Sequence, residues 1–313
     1  MEYQGLVQKF KINRPLAAEE KKLQLLQGQL LEVDPVHQRS VVKLNSTFLE
    51  AVDKYFSWKG MVTFFAIALL LMFAVAFAGL SYLFFGPDSA RFNSNEALAT
   101  YLFLSSIFCF GSGVALWALL RESFRHTHYP IRFNRHNRRV YVFRQDGSVL
   151  EAPWDELFFT LGRASNFAGI QIWDIRGHVL ADDRETVLET FALAVHSDQH
   201  DDLVCFWEFI RRYMEEGPEA AQASWAPVGL VCLDVDERHE SPRAGMHVLF
   251  DNSYGQPLFK MLMAPFYLAS ALGRILAMRS SRIPQWPAWV EAACRIPDDD
   301  PHERDGRSHP IRW

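Results

Sequence analysis

Two stretches hold residue types that could do chemistry. "HSDQHDD" brings together His196, Asp198, His200, Asp201 and Asp202. Histidines four apart can hold a metal when they share a helix face, as in the HExxH pattern. Here the glutamate of that pattern is missing, and the pair straddles the end of a strand-like alternation and the start of a helical one. The pattern favours a solvated turn in which Asp201 and Asp202 cap a helix. "PDDDPHERD" supplies Asp298, Asp299, Asp300 and Asp305. An EF-hand loop needs alternating oxygen ligands, a central glycine and a closing glutamate. The stretch lacks that order and reads as an exposed acidic tail. There is no P-loop and no GxSxG elbow. "FGSGVA" lies inside an apolar run, where glycines serve packing, and nothing recommends Ser112 as a nucleophile. The sequence therefore offers no catalytic, cofactor or metal residue, and a non-enzymatic protein is expected.

Elements that could position any site begin with two apolar runs. Met61–Phe85 and Ala97–Leu120 contain no charged residue. Each exceeds the roughly 20 residues that cross a hydrocarbon core. They read as transmembrane helices joined by a short loop carrying Asp88, Arg91 and Glu96. Lys54 and Lys59 precede the first run; Arg121 and Arg125 follow the second. Positive flanks mark the cytoplasmic side, so both termini are expected there. Neither run holds an ionisable residue, which argues against a channel or transporter. Cys109, Cys205, Cys232 and Cys294 form no CxxC pair and suggest neither a disulfide framework nor a zinc site.

Charge is segregated along the chain. Arg121–Leu150 holds seven arginines against Glu122 and Asp146, whereas Glu151–Glu240 has six basic and nineteen acidic residues, net −13. Arg121, Arg125, Arg132 and Arg135 are thus candidates for a collar on anionic lipid headgroups, at about 1 kcal/mol per cation. The overall charge of −5 and the acidic remainder oppose nucleic-acid binding.

After the second run the pattern turns to strands. Pro130–Asn134 and Arg139–Arg144 flank a polar turn, and "QDGS" is a hairpin turn with Asp-Gly at its centre. "VLEAPW", "LFFTLGR", "GIQIWDIRG" and "ETFALAV" continue the meander. "DLVCFWEFIRRYMEEG" is a helix with Leu203, Phe206, Trp207, Ile210 and Met214 on one face, stopped by Gly217-Pro218. The order predicts a pleckstrin-homology-like, β-rich cytoplasmic domain closed by a C-terminal helix, with Trp154, Phe158, Phe159 and Trp173 as core mass. The fold class is therefore an α+β membrane protein. It divides into an N-terminal region (1–60), a helical hairpin (61–120), the β-rich domain (121–222) and a C-terminal region (223–313). "PLAAEEKKLQLLQGQLLEV" is a plausible helix, and "STFLEAVDKYFSWKG" could lie in the membrane interface. The stretch 257–278 reads as an amphipathic helix on the domain or inner leaflet, with a third, tilted span as the alternative.

"YPIRFNRHNRRVYVFRQDGSVLEAPWDELFF", "FWEFIRRYMEEGP" and "LGRILAMRSSRIPQWPAWVEAACRIPDDDP" together resemble the DUF6708 type of bacterial protein. The resemblance implies two spans before a cytoplasmic region, and a bacterial inner-membrane location. Members are often linked to type VI secretion clusters, which implies an immunity protein that binds a toxin. An effector adaptor, or a lipid-binding module of pleckstrin-homology kind, remains the alternative. In any of these roles the expected partners are a protein and membrane lipids. On the helix, Glu208, Glu215 and Glu216 fall off the apolar face and are candidates for contacting a basic partner.

Overall fold

The computed structural model describes residues 2–3, 9–87, 94–167, 170–222, 230–251 and 257–310. The loop residues Asp88 and Arg91 lie outside that set. Contacts group the chain into a sheet unit, residues 1–57, 126–244 and 283–313, and a helical unit, residues 58–125 and 245–282.

In the sheet unit, β1 (Glu2–Tyr3) pairs with β2 (Lys9–Phe10). Then come β3 (Arg14–Pro15), α1 (Ala18–Lys22), β4 (Gln24–Leu25), β5 (Val41–Leu44) and β6 (Phe48–Ala51). The chain next builds α2 (Met61–Phe85) and α3 (Asn95–Glu122) of the helical unit. It returns as β7 (Ile131–Asn134), β8 (Arg139–Phe143), β9 (Val149–Pro153), β10 (Phe158–Phe167), β11 (Ile170–Leu180) and β12 (Thr186–Ser197). The helices α4 (His200–Glu215), α5 (Pro218–Gln222), α6 (Pro242–Asp251), α7 (Pro257–Ser280) and α8 (Ala288–Ala293) follow.

Two antiparallel five-stranded sheets result, in the orders β5-β6-β7-β8-β9 and β3-β12-β11-β10-β4. The helical hairpin is inserted between two neighbouring strands, since β6 pairs with β7 and Ala51 lies opposite Ile131. Both sheets and α4 share one core. Trp154 stacks on Trp207 with centroids 5.6 Å apart, and Phe159 meets Trp207 at 4.7 Å. Leu203, Phe206, Trp207, Ile210 and Met214 are all buried there, as the helical spacing anticipates. Phe158 and Trp173 are only half-buried.

Three expectations need correction. The N-terminal helix stops at Lys22, because Leu25 and Gln24 pair with Phe159 and Thr160; a sheet edge outweighs the few tenths of a kcal/mol per residue of helix preference. The segment expected in the membrane interface is instead β6, with Phe48, Leu49 and Glu50 buried between β5 and β7. The acidic tail is wound back onto the first sheet. Asp300 accepts from the Ser46 N–H and Oγ–H, each at 2.7 Å, and Leu44 exchanges two backbone bonds with Arg304.

In the helical unit, α2 and α3 pack together. Only 11% and 6% of their most apolar windows are buried within the protein, so most of that surface needs an apolar surround. Met61 and Phe85 bound the first helix as the sequence indicates, and the second runs slightly beyond the expected 97–120. The α2 N-terminus has no side-chain cap of its own. Glu122, at the end of α3, supplies one: its carboxylate accepts from the N–H of Gly60 at 2.9 Å and of Thr63 at 2.6 Å. An anion there also suits the helix dipole.

The stretch 257–278, expected on the domain or the inner leaflet with a third span as the alternative, is α7, which belongs to the helical unit and lies against α2. Phe266 meets Phe64 at 6.0 Å and Phe65 at 5.7 Å. A Cβ on Gly273 would come within 2.4 Å of the Gly60 carbonyl, so only glycine admits this approach. Within α7, Met261–Ser280 is itself long and apolar enough to cross a membrane, making three such helices among the described residues.

Candidate functional site

Most of the arginines that opened the question of a basic surface are used inside the sheet unit. Arg132, on β7, is 2% exposed. Its Nε donates to buried Glu50, its Nη2 donates to Glu291 at 3.0 Å, and its guanidinium lies 4.8 Å over the Trp286 ring. Such a residue cannot sit among lipid headgroups, which corrects its place in the collar. The cause is Glu50, an acid within apolar β6 that has to be neutralised. Arg135 is half-buried beside Gly217, just past the end of α4. Arg138 bridges Asp155 and Glu215, Arg139 pairs with Glu151 at 3.1 Å, and Arg144 pairs with Glu189. The segregation of charge along the sequence is largely cancelled in space. Arg121 lies in the last turn of α3, 5.5 Å over Trp117, and Arg125 lies just beyond the helix.

On the acidic face of α4, Glu208 needs a similar correction. Glu208 is 0% exposed. It accepts from Arg211 and Arg212 at 2.7 Å and from the Leu31 N–H at 3.3 Å. Burial alone would raise its pKa, but these two guanidinium groups bring it below the ordinary carboxylate value. The N-terminal segment lies along this face: Arg212 donates to the Val33 carbonyl at 3.2 Å, and the Val36 N–H donates to Cys205 at 3.1 Å. Glu215 accepts from the Trp154 indole at 2.7 Å and from Arg138 at 3.0 Å. Glu216 accepts from Arg211 at 2.6 Å and stays partly exposed. These groups brace the helix.

"HSDQHDD" forms the turn into α4. Ser197 donates to Asp202 at 2.7 Å, and His200 meets the Trp173 ring edge at 4.5 Å. No group of three or more potential metal ligands occurs among the described residues. His196 lies opposite Asp174 across β11–β12. Burial, then the nearby Lys54 ammonium, push its pKa down to about 4. Lys54 donates to Asp174 at 2.5 Å, and Arg176 donates to the same carboxylate at 2.8 Å. Burial pulls the Lys54 pKa below its ordinary value, against the pull of Asp174. Farther along the same sheet, Arg14 grips Glu20 through two bonds of 2.6 and 2.7 Å. Sequence reasoning passed over Glu50 and Asp174, and took Lys54 as a flank of the first apolar run, whereas it is buried against Asp174. The signal available was a charge inside an otherwise apolar alternation, as in "FLEA" and "IQIWDIRG".

An open cleft of about 520 Å³ lies elsewhere in the unit, lined by Lys43, Asp234, Asp236, Arg238, Asp305 and Arg307 among others. Lys43 pairs with Asp236, Arg238 with Asp234, and Arg307 with Glu237. Asp305 accepts from the Arg307 and Ser308 N–H groups at 2.9 and 2.8 Å, shaping the loop at its rim. Burial raises the Asp305 pKa less than those donors lower it, so the carboxylate stays ionised. The lining has alternating charge and no histidine, cysteine or serine.

The family described as one of unknown function, DUF6708, matches residues 108–298, about three-fifths of the chain. The chain belongs to the DUF6708 family. No curated protein and no solved structure matches it. The DUF6708 match begins inside α3 and runs through β7–β12, α4, α7 and α8. It takes in Arg132 and its partner Glu291, and leaves Glu50 outside. The family description says nothing of secretion.

Proposed function

We propose that this DUF6708 protein is a membrane-tethered, non-enzymatic protein-binding module of the bacterial inner membrane. The observation that carries the reading is the insertion of the apolar α2–α3 hairpin between the paired strands β6 and β7, with Ala51 opposite Ile131. Both ends of the anchor are thereby tied to one polar two-sheet unit, on the side that Lys59, Arg121 and Arg125 mark as cytoplasmic. Connectivity supports a cytoplasmic position for both termini. Residues 1–57, 126–244 and 283–313 group as one unit; on this reading that unit stays on one side, and the number of crossings between its segments would be even. The hairpin supplies two, and α7 would then add no net crossing. The succession of β6–β9, β10–β12 and α4 supports the pleckstrin-homology-like reading, on which the unit is a binding module.

The partner is a protein, recognised through the charged cleft. Resemblance supports a type VI immunity role, in which the chain captures and neutralises a cognate effector. The test is to express a neighbouring effector gene with and without this protein. Protection through a stoichiometric complex supports immunity, whereas failed secretion with protection intact makes the protein an effector adaptor. Reversing Arg238 and Arg307 to Glu should weaken capture in a salt-dependent way. Joint replacement of His196, His200 and Asp201 by Ala should leave capture intact. Loss of activity in that folded variant, with metal restoring chelated wild type, would sink the non-enzymatic reading.

A further inference from the structure

The helical unit holds a set of cations unlike those of the sheet unit. At the exits of α3 and α7 the two backbones meet, the Arg282 N–H donating to the Arg125 carbonyl at 2.7 Å. Within about one turn of that contact lie Arg121 and Arg125 on one side, and Arg279 and Arg282 on the other. Arg125, Arg279 and Arg282 are exposed, and none of the three pairs with an acid among the described residues. Glu122, the acid nearest in sequence, already spends both oxygens on the α2 N-terminus. By contrast Arg132, Arg138, Arg139 and Arg144 all have carboxylate partners.

A helix C-terminus attracts cations by itself, which accounts for Arg121 and Arg279. Arg125 and Arg282 lie beyond the helix ends, where that attraction has faded. All four sit where long apolar helices with exposed Leu116, Leu120, Leu272 and Leu276 give way to polar chain. Trp117, an interface-favouring ring, lies beneath Arg121.

We propose that Arg125, Arg279 and Arg282, with Arg121 beside Trp117, bind the phosphate of an anionic phospholipid headgroup where α3 and α7 leave the membrane. Guanidinium groups grip a phosphodiester through paired N–H donors, and two chain segments supply them from one backbone contact. The collar is therefore made by two helix exits distant in sequence, and Arg132 and Arg135 have no part in it. The site rests on the membrane reading above, and the test separates the two.

The full-length protein is reconstituted with phosphatidylglycerol as a minor component in phosphatidylcholine, and the lipid retained through detergent washing is measured. Wild type should enrich phosphatidylglycerol. The R125Q/R279Q/R282Q variant should lose that preference by about five-fold per arginine. Lysines at the same positions should restore most of it, and Arg139→Gln, on the sheet unit, should leave it unchanged. An unaltered preference in the triple variant, or none in wild type, overturns the site. Displacement of the lipid by inorganic phosphate at constant ionic strength overturns its assignment to lipid. Extraction of wild type from membranes by alkali withdraws the membrane reading itself; a chain that resists alkali yet shows no preference overturns this site alone.

Discussion

Arg132 and Glu208 show how a charged residue in a surface-like pattern ends up inside. Each answers an ion of opposite sign that the fold buries, and removing one partner would strand the other, typically at a cost of about 3–5 kcal/mol. His196 is a third, half-buried titratable group, and its effect can be measured. Its pKa falls from 6.5 unfolded to about 4 folded. Between those values the unfolded chain binds more protons, so stability rises with pH there and is lost as pH falls from about 6.5 toward 4. The steepest slope from one such group is about 1.4 kcal/mol per pH unit. Denaturant titrations of the detergent-solubilised protein at pH 5 and pH 7 should differ less for His196→Gln than for wild type. Equal differences would place the titration elsewhere.

At the scale of elements, α7 is held to α2 by the mutual approach of Gly60 and Gly273. Gly60 adopts φ 97°, and a Cβ there would meet the Arg274 Cα at 2.1 Å. Gly273→Leu should therefore lower the thermal midpoint, at a cost of the order of 1–3 kcal/mol from overpacking. Gly113→Ala in α3, where nothing lies within 4 Å of the new methyl, should be neutral or slightly stabilising. Equal behaviour of the two would mean that α7 does not rest on α2. The meander from β7 to β12 and the buried stripe of α4 were legible, because period 2 and period 3.6 are local properties of the chain. The role of β6 was not. Its short apolar run reads as part of an interfacial segment, and only β5 and β7 on either side make it a strand.

For the whole molecule, the proposed even number of crossings is the property with consequences. Cysteines placed singly at Gly147 and Ser308, both exposed on the sheet unit, should be labelled from the cytoplasmic side. One at Asn93, in the loop outside the described residues, should be labelled from the periplasm. The native Cys109, exposed on α3, must first be replaced. Labelling of Ser308 from the opposite side to Gly147 would make α7 a full third crossing and break the unit to which both residues belong.

Composition and spacing alone determined that the chain carries two long uncharged helices, basic flanks, a strand meander and an amphipathic helix, since each is written in consecutive residues. Tertiary structure alone decided where the charges go. Arg132 finds Glu50 from 82 residues away, Glu208 finds Leu31 from 177, and Arg125 meets Arg282 across the helical unit. Whether a charged side chain faces water, lipid or its counter-ion depends on what the fold lays over it, and that covering comes from chain segments no local pattern connects.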